Sequence, residues 1–191
     1  MKEPKLKKCI ICKAEFKQFK STEKVCSLKC AVEHARNVSK EVKAKEWNKT
    51  KKIKKEALKS NRDWINDTQK VVNKYIRERD KGENCISCGK FINGVRHASH
   101  YMSAGHNTAV RFNTDNIWVS CYKCNVMLAG NVREYRERLI EKIGIERVEA
   151  VELASKEVKR FSIEELKEIM ILFKKMTKEL KEYYKQQIKK L

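Results

Sequence analysis

Cys85-Ile-Ser-Cys88 and Cys121-Tyr-Lys-Cys124-Asn125 contain two short-spaced cysteine pairs that are separated by 32 residues. Two such pairs supply the four thiolates of one tetrahedral zinc site, which has no open coordination position and is therefore structural. Residues 82–130, which include both pairs, also hold five of the six glycines and three of the four histidines. We expect this segment to be compact and irregular, with polar residues held on a rigid frame where a site can be built.

The other four cysteines form a similar arrangement near the beginning of the chain, as Cys9-x-x-Cys12 and Cys26-x-x-x-Cys30. The chain begins without an apolar signal segment, so zinc is favoured over disulfides. Residues 1–31 are too few to bury a core, and a metal ion would have to hold them. Separation along the chain indicates two separate zinc sites. We expect Phe16 and Phe19 to pack over the first site, with stacking on nucleic-acid bases as the alternative.

The basic side chains are concentrated in the first part of the chain. Lys and Arg number 45 against 25 Asp and Glu, and residues 1–81 carry 25 of the basic and 11 of the acidic side chains. A concentrated excess is typical of nucleic-acid contact, although a solvated helix face also gives one. The lysine-rich segment 40–59 has few apolar residues, so we expect it to project into solvent. Its central lysines are predicted to bind phosphates without reading sequence: Lys49, Lys51, Lys52, Lys54 and Lys55.

The predicted fold class is mainly α, with small zinc-stabilised α+β parts. One proline and six glycines exclude a loop-rich or all-β chain, and short β-type runs are predicted at residues 95–101 and 117–121. We divide the chain into four segments: an N-terminal four-cysteine zinc finger (1–31), a long basic helical region (32–81), a central module (82–130) and a C-terminal helical region (131–191).

Several helix ends carry recognisable signals. Asp63 is a candidate cap where the long helical segment breaks. Asn131 and Ser162 each precede a glutamate by three residues, which is capping-box spacing. Gly144 stands where a glycine commonly ends a helix.

The last predicted helix has an apolar stripe that begins at Leu166. Such a stripe either packs back on the core or pairs with a second copy of the chain. No apolar run approaches the roughly 18 residues needed to span a bilayer. We therefore expect no membrane association and a location in the cytoplasm.

The order of cysteine pair, histidine, asparagine and cysteine pair followed by Asn resembles the HNH, or ββα-metal, nucleases of the endonuclease VII type. Over nearly its full length, the chain resembles the lambda NinG (Rap) recombination proteins. That resemblance rests on the eight cysteines and on Tyr75-Ile-Arg-Glu-Arg-Asp80, Ala98-Ser-His-Tyr101 and Arg111-Phe-Asn-Thr-Asp-Asn-Ile117. It implies a phage recombination endonuclease that acts on branched DNA, such as Holliday junctions or D-loops.

The resemblance also implies roles for individual residues. His100 would be the general base, because the ordinary pKa of histidine suits that task. A Mg²⁺ or Mn²⁺ ion would neutralise charge on the phosphate, with Asn125 as an oxygen ligand. Asn116 would hold the loop behind His100 in place. Arg111 and Lys123 are predicted to contact phosphates beside the cleft, with solvated surface charges as the alternative.

The sequence departs from the family pattern at the expected metal-binding carboxylate. Ser99 stands where many ββα-metal nucleases have Asp, and His97 stands where NinG proteins tend to have it. His97 would then bind a metal that accepts nitrogen ligands, with Asp115 as a further candidate. The alternative is a non-catalytic zinc-finger protein that binds DNA as a recombination accessory. Other phage or host recombination proteins and a second copy of the chain are the further expected partners.

Overall fold

Helices make up most of the protein, as the scarcity of proline and glycine predicts. The computed structural model describes residues 6–189 and divides the chain into two units, Met1–Lys59 and Ser60–Leu191. None of the described helices is long and apolar enough to cross a membrane. The helices and strands are, in chain order, β1 (Leu6–Lys8), β2 (Glu15–Lys17), α1 (Leu28–Ala57), α2 (Asn61–Arg79), β3 (His97–His100), a 3₁₀ turn (Thr108–Val110), β4 (Ile117–Ser120), a π-helical turn (Lys123–Met127), α3 (Val132–Ile143), α4 (Ile145–Ala154) and α5 (Ile163–Ile188).

The first unit is a small antiparallel hairpin, β1 with β2, followed by the long helix α1. Within residues 6–59 only Cys9 and Cys30 are buried. The prediction that Phe19 packs over the first cysteine cluster is wrong, because its side chain is 83% exposed; Phe16 is half-buried. Segment 40–59 is exposed to solvent along almost its whole length, as its small number of apolar residues predicts.

The helix caps partly match the predictions. Ser60, not Asp63, caps α2: the Ser60 hydroxyl accepts from the Asp63 backbone N–H, and the Asp63 carboxylate accepts from the Ser60 N–H. Ser162 caps α5 by the predicted capping box. Asn131 precedes α3 with φ of 51°, and its side chain makes no capping hydrogen bond, so that prediction is wrong. Gly144 ends α3 with φ of 84°, a conformation that favours glycine.

The second unit contains two clusters of buried hydrophobic side chains. One joins α2 and α5 to one face of the β3–β4 hairpin, and the C-terminal stripe contributes Leu166 and Phe173 to it. The Phe173 ring lies edge-on to Tyr75 of α2, with 5.2 Å between ring centroids. The other cluster joins α3 and α4 around the buried Tyr135. Each fully buried side chain of this size contributes about 1.5–3 kcal/mol, so packing alone gives this unit a substantial core.

Strands β3 and β4 pair in an antiparallel register that sets His97 opposite Ser120 and His100 opposite Ile117. The end of α2 is tied to this hairpin by a buried carboxylate. The Asp80 side chain accepts from the Val119 N–H (3.1 Å) and from the Arg79 guanidinium (2.6 Å), which also donates to the Ile117 carbonyl (2.9 Å). These bonds fix β4, the strand that pairs with the one carrying His100.

Candidate functional site

The second cysteine cluster braces the segment that follows β4. The Sγ atoms of Cys85, Cys88, Cys121 and Cys124 all lie within 4.8 Å of one another, and all four are free thiols. Backbone N–H groups donate to two of these sulfurs, from Cys121 to Cys85 (3.3 Å) and from Cys124 to Cys121 (3.5 Å). Burial raises the pKa of Cys85, but backbone hydrogen bonds outweigh it and bring that pKa to about 7. Four such sulfurs suit Zn²⁺.

The first cysteine cluster gathers Cys9, Cys12, Cys26 and Cys30 within the same 4.8 Å limit. The Sγ atom of Cys26 lies 3.4 Å from that of Cys12 and 3.8 Å from that of Cys30. Zinc–sulfur bonds of about 2.3 Å in a tetrahedron separate the sulfurs by about 3.8 Å. The spacing therefore fits zinc, and the predicted division into two separate four-cysteine sets is confirmed.

His100 lies at the end of β3 with its ring half-buried. Its Nε2 atom lies 3.1 Å from the carbonyl oxygen of Arg111. A carbonyl only accepts, so Nε2 carries the proton and Nδ1 keeps its lone pair. Nδ1 makes no hydrogen bond among residues 6–189, and it is not one of the buried atoms left without a partner. The ring thus presents an accessible nitrogen that can accept a proton.

The surroundings of His100 favour its neutral form. Burial lowers the pKa of the ring most, and the positive charge of Arg111 lowers it further, whereas the hydrogen bond to the Arg111 carbonyl raises it. The net pKa lies below the ordinary value for histidine. His100 is therefore unprotonated at neutral pH, as a general base must be.

Asn116 is fully buried and closes the loop that leads from β3 to β4. Its Oδ1 accepts from the Met102 N–H (2.7 Å), and its Nδ2 donates to the carbonyls of Met102 and Val110 (both 3.0 Å). This loop includes Arg111, whose carbonyl holds His100. Asn116 therefore fixes the segment that orients the His100 ring, and its part in catalysis stays a prediction.

The other candidate ligands of a catalytic ion lie apart. Successive side chains of a strand alternate between its faces, so His97 and His100 point to opposite sides of β3, and the His97 ring lies 5.8 Å from that of Tyr122. Ser99 is buried. Asp115 forms an ion pair with Arg147 of α4.

Asn125, in the π-helical turn, is half-buried, and its side-chain amide makes no hydrogen bond among the described residues. Apart from the two four-cysteine sets, residues 6–189 contain no group of three Cys, His, Asp or Glu side chains spaced to hold a metal ion. The described side chains therefore fit a protein-held Mg²⁺ or Mn²⁺ poorly.

Basic side chains line several surfaces. The five predicted lysines of α1 and Lys123 of the π-helical turn are all exposed. A groove of about 440 Å³ between α2 and α5, which the sequence analysis missed, is lined by Lys74, Lys174, Lys178, Lys181 and Lys185. The spacing of the four α5 lysines by four, three and four residues places them on one helix face. The spacing of the α5 lysines could have been recognised in the sequence. The contribution of Lys74 could not, because it depends on the packing of α2 against α5.

Comparison with known proteins assigns the chain to a family. The family model described as Bacteriophage Lambda NinG protein matches residues 1–183. This chain belongs to the NinG family. Protein ninG of Escherichia phage 933W is 32% identical, with 95% of this chain and 96% of the relative covered. Protein ninG of Escherichia phage lambda is 39% identical over 68% of this chain and 63% of the relative, and that of Enterobacteria phage H19B is 34% identical over 88% and 90%. No solved structure matches the chain.

Proposed function

We propose that this NinG-family chain is a phage recombination endonuclease that hydrolyses phosphodiester bonds in branched DNA, with His100 as the general base. The observation that carries the proposal is the state of the His100 ring. Its Nε2–H group donates to the Arg111 carbonyl at 3.1 Å, its Nδ1 atom is left with a lone pair, and its pKa is lowered. A half-buried strand-end histidine with no chemical role would not need an accessible lone pair.

The reaction follows from this geometry. His100 Nδ1 takes a proton from a water molecule while the water oxygen attacks the phosphorus. The bond between phosphorus and the 3′ oxygen breaks, and the departing oxygen gains a proton from solvent. The Arg111 guanidinium, close enough to affect the His100 pKa, would bind the DNA backbone beside the reacting phosphate and offset the negative charge that builds up there. The products are a 3′-hydroxyl and a 5′-phosphate.

The requirement for Mg²⁺ or Mn²⁺ is carried by the family resemblance alone. Asn125 offers one amide oxygen, which a hard cation accepts. His97 lies on the opposite strand face from His100, and the Asp115 carboxylate is paired with Arg147. A Mg²⁺ or Mn²⁺ ion would supply charge neutralisation at the phosphate.

Selection of branched DNA is proposed to come from shape and charge. The exposed lysines of α1, Lys49 among them, would bind phosphates irrespective of sequence. Preference for a junction would then come from the deformability of the branch point. Pairing of two copies would bring two sites to the symmetric strands of a four-way junction.

A second candidate function is that of a DNA-binding recombination accessory protein without catalysis. It is favoured by one observation, the absence of a gathered carboxylate near His100 among the described residues. On this proposal the zinc clusters and the basic surfaces serve DNA binding, and no residue of the chain cleaves the DNA. Substitution of His100 would then leave every function unchanged.

The two proposals differ in one experiment. Purified protein is incubated with a labelled four-way junction or a matched linear duplex, in Mg²⁺, Mn²⁺ or EDTA. His100→Ala is compared with His106→Ala, which alters an exposed histidine in the same loop. The endonuclease proposal is supported if the wild type and His106→Ala both nick the junction. His100→Ala must then lose nicking and still bind the junction. Tight binding with no nicking in any metal supports the accessory role.

A further inference from the structure

A cavity of about 330 Å³ lies in the second unit, next to the residue that holds His100. Three segments that are distant in sequence form its walls. The beginning of α2 contributes Asn61 and Ile65, the 3₁₀ turn contributes Thr108 and the adjoining Arg111, and the segment before α5 contributes residues 159–161. None of the residues that line it is acidic.

The cavity concentrates positive charge. Arg111, Lys159 and Arg160 all line it. Lys159 pairs with Glu165 at 3.2 Å, whereas Arg111 and Arg160 form no ion pair among residues 6–189. Arg111 is half-buried, and burial lowers its pKa. A partly desolvated cation without a counter-charge is costly, and an anion in the cavity would offset that cost.

Hydrogen bonds hold the walls in place without using the cationic groups. The Asn61 side chain donates to the Phe161 carbonyl at 2.9 Å, and the Lys159 backbone N–H donates to the Thr108 hydroxyl at 2.9 Å. Phe161 also packs edge-on against Phe112, with 5.0 Å between ring centroids. The cavity is therefore preformed; its apolar lining is Ile65 and the buried Phe161, whose ring centroid lies 4.9 Å from the Lys159 ammonium.

The same residue connects this cavity to the proposed base. Arg111 lines the cavity, and its carbonyl oxygen accepts the hydrogen bond from His100 Nε2. The positive charge of Arg111 also lowers the pKa of His100, so a group that its guanidinium binds lies within electrostatic reach of that ring.

We infer that this cavity binds a phosphodiester group of a DNA strand, adjacent to the bond that His100 attacks, with Arg111 and Arg160 on the phosphate. The inference rests on the proposed function, because it places this phosphate next to the scissile one. A chain of phosphodiesters fits better than a free anion, since the lining combines cations with an apolar wall.

Arg160→Gln tests the cavity with little risk to folding, because Arg160 is exposed. Lys175→Gln is the matched control: it also removes one exposed positive charge from the second unit, and Lys175 does not line the cavity. Binding of a labelled four-way junction is measured in EDTA by fluorescence anisotropy at several salt concentrations, so that the readout is independent of cleavage.

Arg160→Gln is expected to weaken binding about fivefold and to reduce the slope of log K against log salt by about 1. Lys175→Gln is expected to change neither. Equal effects of the two variants, or no effect of either, overturn the inference. Failure of the wild type to nick the junction in any metal would overturn the proposed function instead, and the anisotropy comparison would not depend on it.

A second measurement separates DNA from a free anion. The NMR signals of the Arg111 side chain and the His100 ring are followed while a thymidine dinucleotide or inorganic phosphate is added to the full chain. Larger shifts with the dinucleotide, reduced in Arg160→Gln, support the assignment to a DNA strand. Equal shifts with inorganic phosphate, or shifts that Arg160→Gln leaves unchanged, contradict it.

Discussion

The first four-cysteine cluster lies in a unit with almost no buried side chains, whereas the second lies within a hydrophobic core. Within residues 6–59 only Cys9 and Cys30 are buried. By contrast, Cys85 and Cys124 belong to the same cluster as the side chains that join α2, α5 and the β3–β4 hairpin. The ligand sets are identical in type, and their surroundings differ.

This difference indicates what each metal ion does. In the first unit the ion would replace a core, because about 25 residues around a short hairpin bury too little apolar surface to fold alone. In the second unit it would pin one turn to a structure that packing and the Asp80 carboxylate already hold. The residues proposed for catalysis lie in this second unit, where position can be specified more tightly.

Zinc removal should show the largest contrast between the two units. We expect Cys30→Ser to abolish the structure of residues 6–27, since structural zinc contributes about 10–16 kcal/mol in small fingers. Cys124→Ser should loosen the segment after β4 and leave α2 and α5 folded. Hydrogen exchange read by mass spectrometry, with zinc counted per chain, measures both. Loss of α2–α5 protection in Cys30→Ser would contradict the independence of the two clusters.

The basic side chains of α1 should dominate the salt dependence of DNA binding. Changing Lys49, Lys51, Lys52, Lys54 and Lys55 together to Gln removes up to five phosphate contacts. The slope of log K against log salt should then become shallower by as much as about 4.5, at roughly 0.9 per contact. Titrations of a labelled duplex at four salt concentrations measure this slope. An unchanged slope would remove α1 from the DNA interface, and Lys175→Gln serves as the single-charge reference.

Asn116→Ala should destabilise the second unit selectively. It leaves the buried Met102 and Val110 backbone groups without three hydrogen bonds, at a cost of about 2–4 kcal/mol. Asn107→Ala is the matched control, because its side chain makes one bond, to the Ser103 carbonyl of the same loop. Urea unfolding followed by tryptophan fluorescence gives the two free energies. Similar losses in both variants would show that Asn116 is not the residue that closes the loop.

The smallest expected effect is a shift in the pH dependence of cleavage. As pH falls through the pKa of the base, the ring becomes protonated and cleavage declines. The pKa of His100 is lowered from its ordinary value. The acidic limb of the kcat profile should therefore lie below the ordinary histidine value of about 6.5. Arg111→Gln removes a charge that lowers this pKa, so the limb should move to higher pH by less than about 1 unit. A limb that moves to lower pH would contradict the assignment.

Sequence reasoning worked best where spacing alone determines structure. The cysteine pairs, the short strands and the Ser162 capping box depend on neighbours a few residues apart, and the structure contains all of them. The Asn131 cap failed because a left-handed backbone turns its side chain away from the helix.

The missed features involve residues that are far apart in the chain. The Asp80 carboxylate accepts from the backbone of residue 119. The cavity brings Arg111 together with Arg160. By contrast, the sequence already indicated that His97 and His100 lie on opposite strand faces, because both belong to the predicted β-type run 95–101 and are three residues apart.

The central claim is that the fold presents His100 as a neutral base with Nδ1 available. Its most direct test is an NMR titration of the histidine ring nitrogens in the full-length, zinc-loaded protein, with His100→Ala used to assign the signal. The account predicts the Nε2–H tautomer at pH 7 and a pKa below about 6.5. A ring that is protonated on both nitrogens at pH 7, or that carries its proton on Nδ1, would contradict it.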